Sequence, residues 1–242
     1  MKIIKLSAIP STNLFLKNLA TDSSTEDFTV VLAETQTDGV GQRGNKWLVE
    51  EGKNLTFSVL IRDSQLYFKT IFYLNVYVSV CVISVLKRFY DLKLHCKWPN
   101  DIMAENKKIG GILIENTFKA GEKRDSGIGI GLNVNPLNFD DLPSAASLAL
   151  LLNKSIDKEQ LLAALLNELE NQLPFFMQSK ATFWQKYHTF LFKINKPMAF
   201  KNEGKGTFMG IIKSVSQNGL LEVELENEST VQFAFKEVQM LY

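Results

Sequence analysis

The residues with the clearest chemical potential lie in one short segment, Lys97-Trp98-Pro99-Asn100-Asp101. Proline fixes its own φ and favours an extended residue before it, so the sequence predicts a strand that ends in a tight turn, with Pro99 second and Asn100 third. Lys97 is then held on ordered backbone, where its ammonium group can face a carboxylate or a phosphate at little reorganisation cost. The alternative is an ordinary hairpin with a solvated lysine.

A second segment, Gly39-Val40-Gly41-Gln42-Arg43-Gly44, has the spacing G-x-G-x-x-G and follows a predicted strand. A dinucleotide-binding motif of this kind opens a helix, whereas residues 45–52 have an irregular or extended pattern, which disfavours that interpretation. Two alternatives are left open. The segment is either a mobile surface loop or a loop whose bare backbone closes over a ligand and its phosphate.

Two further segments are candidates for ligand contact. Ser11-Thr12-Asn13 precedes an amphipathic stretch and is typical of a helix N-cap, and a helix N-terminus also presents polar groups to a ligand. Between Gly127 and Asn135, glycine recurs with period two, so these glycines share one face of a predicted strand. That bare face fits either a ligand or close packing against a helix. Glu115, at the end of another glycine-containing strand, is predicted to be structural.

Taken together, these segments resemble the biotin protein ligase family. The resemblance rests on residues 97–101, on Lys108-Ile109-Gly110-Gly111-Ile112-Leu113-Ile114-Glu115, and on the glycine loop between Gln36-Thr37 and Trp47, and it covers nearly the whole chain. It implies that Lys97 is catalytic and also contacts biotin. It implies further biotin contacts from Ser11, Thr12, Asn13, Gln36, Val40, Gly41, Gln42, Gly129 and Gly131. It implies nucleotide or phosphate contacts from Arg43, Lys46, Trp47, Asn100 and Asn133, and no protein-bound metal.

The chain departs from the family's loop pattern, Gly-Arg-Gly-Arg-x-Gly, at both arginine positions, which here hold Val40 and Gln42. In the family these two side chains help to hold the reactive intermediate. The backbone N–H groups of the loop remain, so the resemblance still implies closure over the ligand, with phosphate neutralisation by Arg43, Lys46 and Lys97. We therefore expect the intermediate to be held less tightly than in enzymes with both arginines.

The activity that the resemblance implies is a two-step ligation. Biotin's carboxylate attacks the α-phosphate of ATP, with Mg²⁺ as counter-ion, and forms biotinyl-5′-AMP and pyrophosphate. A lysine of a biotin carboxyl carrier domain of a carboxylase then attacks the mixed anhydride. Because two anions must approach each other, the first step needs a fixed cation, and this role is assigned to Lys97.

Three alternatives accompany this interpretation. A lipoate–protein ligase shares the implied fold and the acyl-adenylate chemistry. A DNA-binding biotin sensor would need an N-terminal DNA-binding domain, and a ligand segment that begins at Ser11 leaves no room for one, so we expect no DNA binding. A non-catalytic biotin-binding protein is suggested by Val40 and Gln42. Whether two copies form a homodimer is left open.

Composition restricts the class of protein. A formal net charge of +1 argues against broad attraction to nucleic acid or to an anionic membrane. Cys81 and Cys96 lack metal-ligand spacing and fit reduced core thiols. Residues 71–86 are apolar but short and interrupted by polar residues, so a buried helix is predicted instead of a membrane span. No signal peptide is recognisable, and we expect a cytoplasmic protein.

The order of elements predicts an α+β fold. Residues 1–195 are expected to form the catalytic domain, a mixed β-sheet flanked by helices of the kind found in class II aminoacyl-tRNA synthetases and biotin ligases. Residues 196–242 contain short β-rich runs and an Asn-Gly hairpin signal, which predict a small SH3-like β-barrel docked on the larger domain. Helices are predicted from the Ser11 cap to residues 22–24, over residues 67–90, from Asp157 to a stop at Pro174, and over residues 181–190.

Overall fold

The fold is described by a computed structural model for residues 1–68, 70–120, 123–140, 142–202, 204 and 206–242. The strands are β1 (Ile3–Ile9), β2 (Val30–Gln36), β3 (Leu55–Ile61), β4 (Leu94–Lys97), β5 (Asp101–Ala104), β6 (Lys107–Phe118), β7 (Arg124–Leu132), β8 (Pro197–Asn202), β9 (Gly206–Val215), β10 (Leu221–Leu225), β11 (Thr230–Phe233) and β12 (Val238–Leu241). The helices are α1 (Thr12–Leu19), α2 (Ile71–Phe89), α3 (Leu148–Leu152), α4 (Lys158–Gln178) and α5 (Lys180–Phe190).

The larger layer is a seven-stranded mixed sheet with the strand order β1-β2-β3-β7-β6-β5-β4. β1 and β2 are parallel, and the other neighbours are antiparallel. Successive residues of a strand face opposite sides, and β2 shows the consequence. Val30 joins the main core under α2, whereas Val31 packs with Leu16 of α1 on the other side. Helices therefore cover both faces, and the predicted α+β fold with a flanked mixed sheet is confirmed.

Helix α2 is the central core helix. Thr70 caps it by accepting a hydrogen bond from the Tyr73 N–H at 3.4 Å, and the helix begins at Ile71, four residues later than predicted, because residues 64–66 form a separate 3₁₀ turn. By length and composition α2 is the one helix in the described residues that is suited to span a membrane, but 67% of its most apolar window is buried inside the protein. The predicted buried helix is confirmed.

Helix α4 corrects one prediction. Asp157 caps its start by accepting from the Gln160 N–H at 3.0 Å, as the sequence indicates, but the helix continues through Pro174 to Gln178. Proline within a helix removes one backbone hydrogen bond and is normally disfavoured. Continuation places Phe176, which is fully buried, against Phe68, with ring centroids 5.1 Å apart. This aromatic packing offsets the lost bond.

The second layer is a five-stranded antiparallel sheet of order β11-β10-β9-β8-β12, consistent with the predicted SH3-like unit. Its buried residues belong to the same hydrophobic cluster as the core under the larger sheet. Hydrogen bonds cross the junction: among them, the Trp98 Nε1–H donates to the Gly219 carbonyl at 2.9 Å, and the Val215 N–H donates to His188 Nε2 at 3.1 Å. The division at residues 195 and 196 stays a prediction.

A buried ionic cluster stabilises the start of β7. Arg62 Nη1 lies 2.9 Å from the Asp125 carboxylate, which Lys119 also contacts and which accepts a hydrogen bond from the Asp63 N–H at 3.1 Å. Burial acts to raise the pKa of Asp125, but the hydrogen bonds from Lys119 and Asp63 and the two positive charges hold it below its ordinary value. This cluster lies at the opposite end of β7 from the residues that form the candidate site.

Candidate active site

A cavity of 580 Å³ opens between the glycine loop, the seven-stranded sheet and the second sheet. Its size is that of a small-molecule site. The structure brings most of the predicted site residues to its lining. These are Ser11, Thr12, Asn13, Gln36, Val40, Gly41, Gln42, Lys46, Trp47, Lys97, Asn100, Gly129 and Gly131.

Lys97 lies at the end of β4, opposite Asp101 at the start of β5. Its Nζ is 3.3 Å from Asp101 Oδ2, and the Nζ of Lys108 is 2.6 Å from Asp101 Oδ1. One carboxylate thus holds two ammonium groups side by side, and Lys97 also lies 5.2 Å from the centroid of the Tyr242 ring. With 19% of its side chain exposed, Lys97 is an oriented, largely desolvated cation.

The loop between β4 and β5 is a turn over residues 98–100, where the sequence predicts one. The peptide bond between Trp98 and Pro99 is cis. Asn100 fixes the loop to β6: its Nδ2 donates to the Ile112 carbonyl at 2.6 Å, and its own carbonyl accepts from the Ile112 N–H at 3.0 Å. These bonds hold the lysine segment in place on the sheet.

The N-terminus of α1 forms another side of the cavity. The Ser11 cap is confirmed, since its hydroxyl accepts from the Leu14 N–H at 3.4 Å. The Thr12 hydroxyl and N–H both donate to Gln36 Oε1, at 2.9 and 2.7 Å. These contacts fix the Gln36 carbonyl, so its amide nitrogen is left for other partners.

Asn13 is held by a buried hydrogen-bond set. Its Nδ2 donates to Glu115 Oε2 at 2.9 Å and to the Leu113 carbonyl at 3.2 Å, and its Oδ1 accepts from the Ser58 hydroxyl at 2.6 Å. Both amide hydrogens are therefore used within the protein. Asn13 positions α1 on the sheet, and Glu115 has the structural place that the sequence predicts.

The alternating glycines of β7 permit close packing of two cavity side chains. A Cβ at Gly129 would lie 2.9 Å from Asn13 Oδ1, and one at Gly131 would lie 2.5 Å from the Trp47 ring. A side chain at either place would displace these groups. The bare strand therefore serves close packing, and the side chains packed on it are themselves part of the cavity lining.

The glycine loop is folded back over the cavity as a narrow turn. The Gly41 N–H donates to the Asn45 carbonyl at 2.6 Å, and the Trp47 N–H donates to the Gly39 carbonyl at 2.8 Å. Gln42–Gly44 form one 3₁₀ turn, so the helix required by a dinucleotide-binding motif is absent from this described segment. The predicted contact of Arg43 falls on a side chain outside the described part of the structure.

Three polar atoms in the lining are buried without a hydrogen-bond partner in the described structure: Gln42 Oε1, Trp47 Nε1 and Thr56 Oγ1. Buried polar groups are normally paired, because an unpaired one costs about 1–3 kcal/mol. Because they lie next to the cavity, these atoms are candidate partners for a bound molecule. The sequence analysis did not identify Thr56, which pairs with Gly131 across the sheet.

Asn133 is the exception among the predicted residues. Its Nδ2 donates to the Ala146 carbonyl at 3.1 Å and its Oδ1 accepts from Asn54 Nδ2 at 2.9 Å, and it is not among the residues that line the cavity. Both ends of this buried amide join β7 to neighbouring loops, and the nucleotide contact of Asn133 stays a prediction.

The charge of the cavity is positive. Lys46, Lys97, Lys108 and Lys236 line it, and Asp101 is the one carboxylate among the described lining residues. Lys236 lies between β11 and β12, so the second sheet supplies a cation that the sequence analysis missed. No cluster of three or more metal-ligating side chains occurs in the part of the chain that the structure describes.

The cysteine next to Lys97 is not a nucleophile. Cys96 is buried, and burial raises the pKa of its thiol, so it stays protonated near neutral pH. Cys81 is also buried and free, and burial raises the pKa of its thiol as well. The predicted reduced core thiols are confirmed, and the chemistry of the cavity rests on its lysines and its polar groups.

Sequence comparison relates the chain to one family. A sequence profile described as the biotin/lipoate A/B protein ligase family matches residues 6–135. The chain is 30% identical over 225 residues to the bifunctional ligase/repressor BirA of Escherichia coli, which covers 90% of this chain and 68% of that protein. It is 25% identical to the biotin–[acetyl-CoA-carboxylase] ligase of Mycobacterium tuberculosis, with 91% and 82% covered.

Structure comparison finds the same fold in solved ligases. The biotin protein ligase from Aquifex aeolicus in complex with biotin and ATP superimposes with a TM-score of 0.81 at 24% identity, covering 99% of this chain and 98% of that one. The biotin protein ligase from Leishmania major in complex with biotinyl-5-AMP gives a TM-score of 0.65 at 21% identity, with 96% and 98% covered. At these identities the superpositions show a common fold.

Proposed function

Because the chain belongs to the biotin/lipoate A/B protein ligase family, we propose that it is an ATP-dependent biotin protein ligase. In this proposal it activates biotin as biotinyl-5′-AMP and transfers the biotinyl group to a lysine of a biotin carboxyl carrier domain. Its need for ATP fits the expected cytoplasmic location. The observation that carries the proposal is the pair of ammonium groups, Lys97 and Lys108, held on Asp101 at the side of a ligand-sized cavity.

The first step joins two anions, and the cavity offers what that step requires. A carboxylate oxygen of biotin attacks the α-phosphorus of ATP, a new P–O bond forms, and the bond to pyrophosphate breaks. Lys97 is proposed to lie between the carboxylate and the phosphate and to lower their repulsion. Asp101 fixes the ammonium groups before the substrates arrive, so little reorganisation is needed during the reaction. Lys108 adds a second positive charge on the same carboxylate.

The biotin ring is proposed to bind at the N-terminus of α1. A neutral urea group needs both donors and acceptors, which the Ser11 hydroxyl, the Gln36 amide nitrogen and the unpaired Thr56 hydroxyl can supply. Thr12 and Asn13 contribute by holding Gln36 and α1 in place. The glycine face of β7 lets Asn13 pack directly on the strand beside this region.

The nucleotide is proposed to bind beside Trp47. Its unpaired Nε1–H is a hydrogen-bond donor, and Lys46 and Lys236 bring positive charge to the phosphates. Magnesium is proposed to enter with ATP as the counter-ion of those phosphates. Asp101, the one carboxylate in the described lining, is already paired with two lysines and is poorly suited to bind the metal.

One assay tests the proposal directly. The protein is incubated with ATP, Mg²⁺, biotin and an unmodified carrier domain, and the mass of the carrier is followed. We expect a mass increase of one biotinyl group that disappears when the acceptor lysine is replaced by arginine. Pyrophosphate exchange with biotin and with lipoate, measured in parallel, separates the two acids. Biotin binding without exchange would refute the ligase proposal and favour a binding protein.

A further inference from the structure

A second cavity, of 320 Å³, lies next to the candidate active site. Its lining combines the start of α2, β6 and the second sheet. The two cavities adjoin each other, since six residues line both: Gln42, Trp98, Pro99, Ile112, Leu113 and Phe235. None of the roles assigned above uses this second cavity.

The two cavities differ in charge. The first is lined by four lysines, whereas no charged residue lines the second among the described residues. Apolar side chains such as Ile71, Phe72, Ile114, Leu220 and Ala234 dominate its surface. Such a lining disfavours phosphate, carboxylate or ammonium groups, because a charge moved out of water without a partner is strongly penalised.

The walls of the second cavity are well anchored. The turn of the second sheet is tied to α2, since the Thr70 hydroxyl donates to the Gln217 carbonyl at 3.2 Å. The Trp98 indole donates to Gly219 and lies edge-on to the Phe235 ring, with centroids 6.0 Å apart. These contacts join the second sheet to α2 and to the loop between β4 and β5 beside the cavity.

We propose that this second cavity is the channel through which the acceptor lysine of the carrier domain reaches the activated biotin. This inference rests on the proposed function. A lysine side chain is a four-carbon apolar stem that ends in an amine, which matches an apolar channel leading to a polar wall. The mouth includes Ile71, a residue that is 45% exposed.

The channel also explains how the amine of the acceptor lysine becomes a nucleophile. An ordinary lysine amine has a pKa of about 10.4 and is protonated near neutral pH, whereas attack requires the free amine. Apolar surroundings and nearby cations both favour the neutral form, and Lys97 and Lys108 lie in the first cavity. The acceptor amine therefore loses its proton to water as it enters.

The transfer step is then balanced. The amine nitrogen attacks the carbonyl carbon of the mixed anhydride, the C–N bond forms, and the C–O bond to AMP breaks. AMP leaves with the electron pair, and the extra proton on nitrogen passes to water. The buried Gln42 Oε1, which lacks a partner in the described structure and lines both cavities, accepts an N–H of the amine and orients it.

The test separates the two half-reactions. Ala234→Leu adds bulk to the second cavity at a residue that does not line the first, and Ile71→Trp narrows its mouth. We expect adenylate formation, measured by pyrophosphate exchange, to stay within about two-fold of wild type. Transfer to the carrier should fall about a hundred-fold. Ala234→Ser, which keeps the size, serves as the matched control.

A small nucleophile provides the second readout. Hydroxylamine does not need a channel for a lysine stem, so it should trap the adenylate of both variants at the wild-type rate. Wild-type transfer in both variants would overturn the channel. If both variants instead show a raised KM for ATP and slowed pyrophosphate exchange, the channel is also overturned, and the second cavity is assigned to the adenine ring. Absence of exchange in the wild-type protein would instead refute the proposed ligase function.

Discussion

Replacement of Lys97 by alanine tests the central cation of the site. A unit charge about 4 Å from an anion contributes about 4 kcal/mol at an effective dielectric constant of about 20. Asp101 offsets part of that charge, but it shares its own charge with Lys108. We therefore expect Lys97→Ala to lose about 3–4 kcal/mol of transition-state stabilisation, which is a rate loss of about a hundred- to a thousand-fold.

The assay is biotin-dependent pyrophosphate exchange at saturating ATP, with thermal unfolding as a check of the fold. Lys97 is partly exposed and its removal leaves Asp101 paired with Lys108, so the variant should unfold near the wild-type temperature. Lys17→Ala is the matched control, because it removes an exposed lysine that does not line the cavity. A Lys97→Ala enzyme that exchanges pyrophosphate at a rate near that of wild type would refute the assignment.

Three other predictions concern the loop, the glycine face and the ionic cluster. The double variant Val40→Arg, Gln42→Arg should release biotinyl-5′-AMP about ten-fold more slowly, because arginine adds charge-assisted hydrogen bonds to its phosphate, and equal rates in a filter-binding assay would contradict this. Gly131→Ala should raise the KM for ATP in the exchange assay, since the new Cβ would lie 2.5 Å from the Trp47 ring; an unchanged KM would show that the ring position is unimportant. Asp125→Asn should lower the free energy of unfolding by about 2–3 kcal/mol at pH 7. The pKa of Asp125 is held below its ordinary value in the folded protein, so its ionised carboxylate stabilises the fold at any pH above the pKa of the unfolded state. This stabilisation is lost as the pH falls through the pKa of the folded state. The denaturant curves of variant and wild type should therefore converge in strong acid.

Local patterns were sufficient to predict much of the fold. The Ser11 cap, the buried α2 helix, the strands around the lysine segment and the Asp157 cap depend on neighbouring residues, and the structure confirms each. The same patterns failed at Pro174. There, aromatic packing far along the chain decides that the helix continues.

In the candidate site, too, some features follow from short segments of sequence and others depend on contacts between distant residues. Short motifs that resemble those of the biotin protein ligase family were enough to single out Lys97, the glycine loop and the start of α1, because each is a contiguous segment of the chain. They could not show that Lys108 shares Asp101, which depends on a register shift between β5 and β6. They also could not show that the Asn133 side chain pairs with Asn54 and with the Ala146 carbonyl.

The sequence by itself therefore determined which groups are available and which local elements carry them. Only the tertiary structure decided which groups meet. Lys236 comes to the cavity from the second sheet, and the second cavity exists because that sheet packs against α2 and Trp98. The physical reason is that these contacts join residues far apart in the chain, and their geometry is set by the packing of whole layers, which no local pattern specifies.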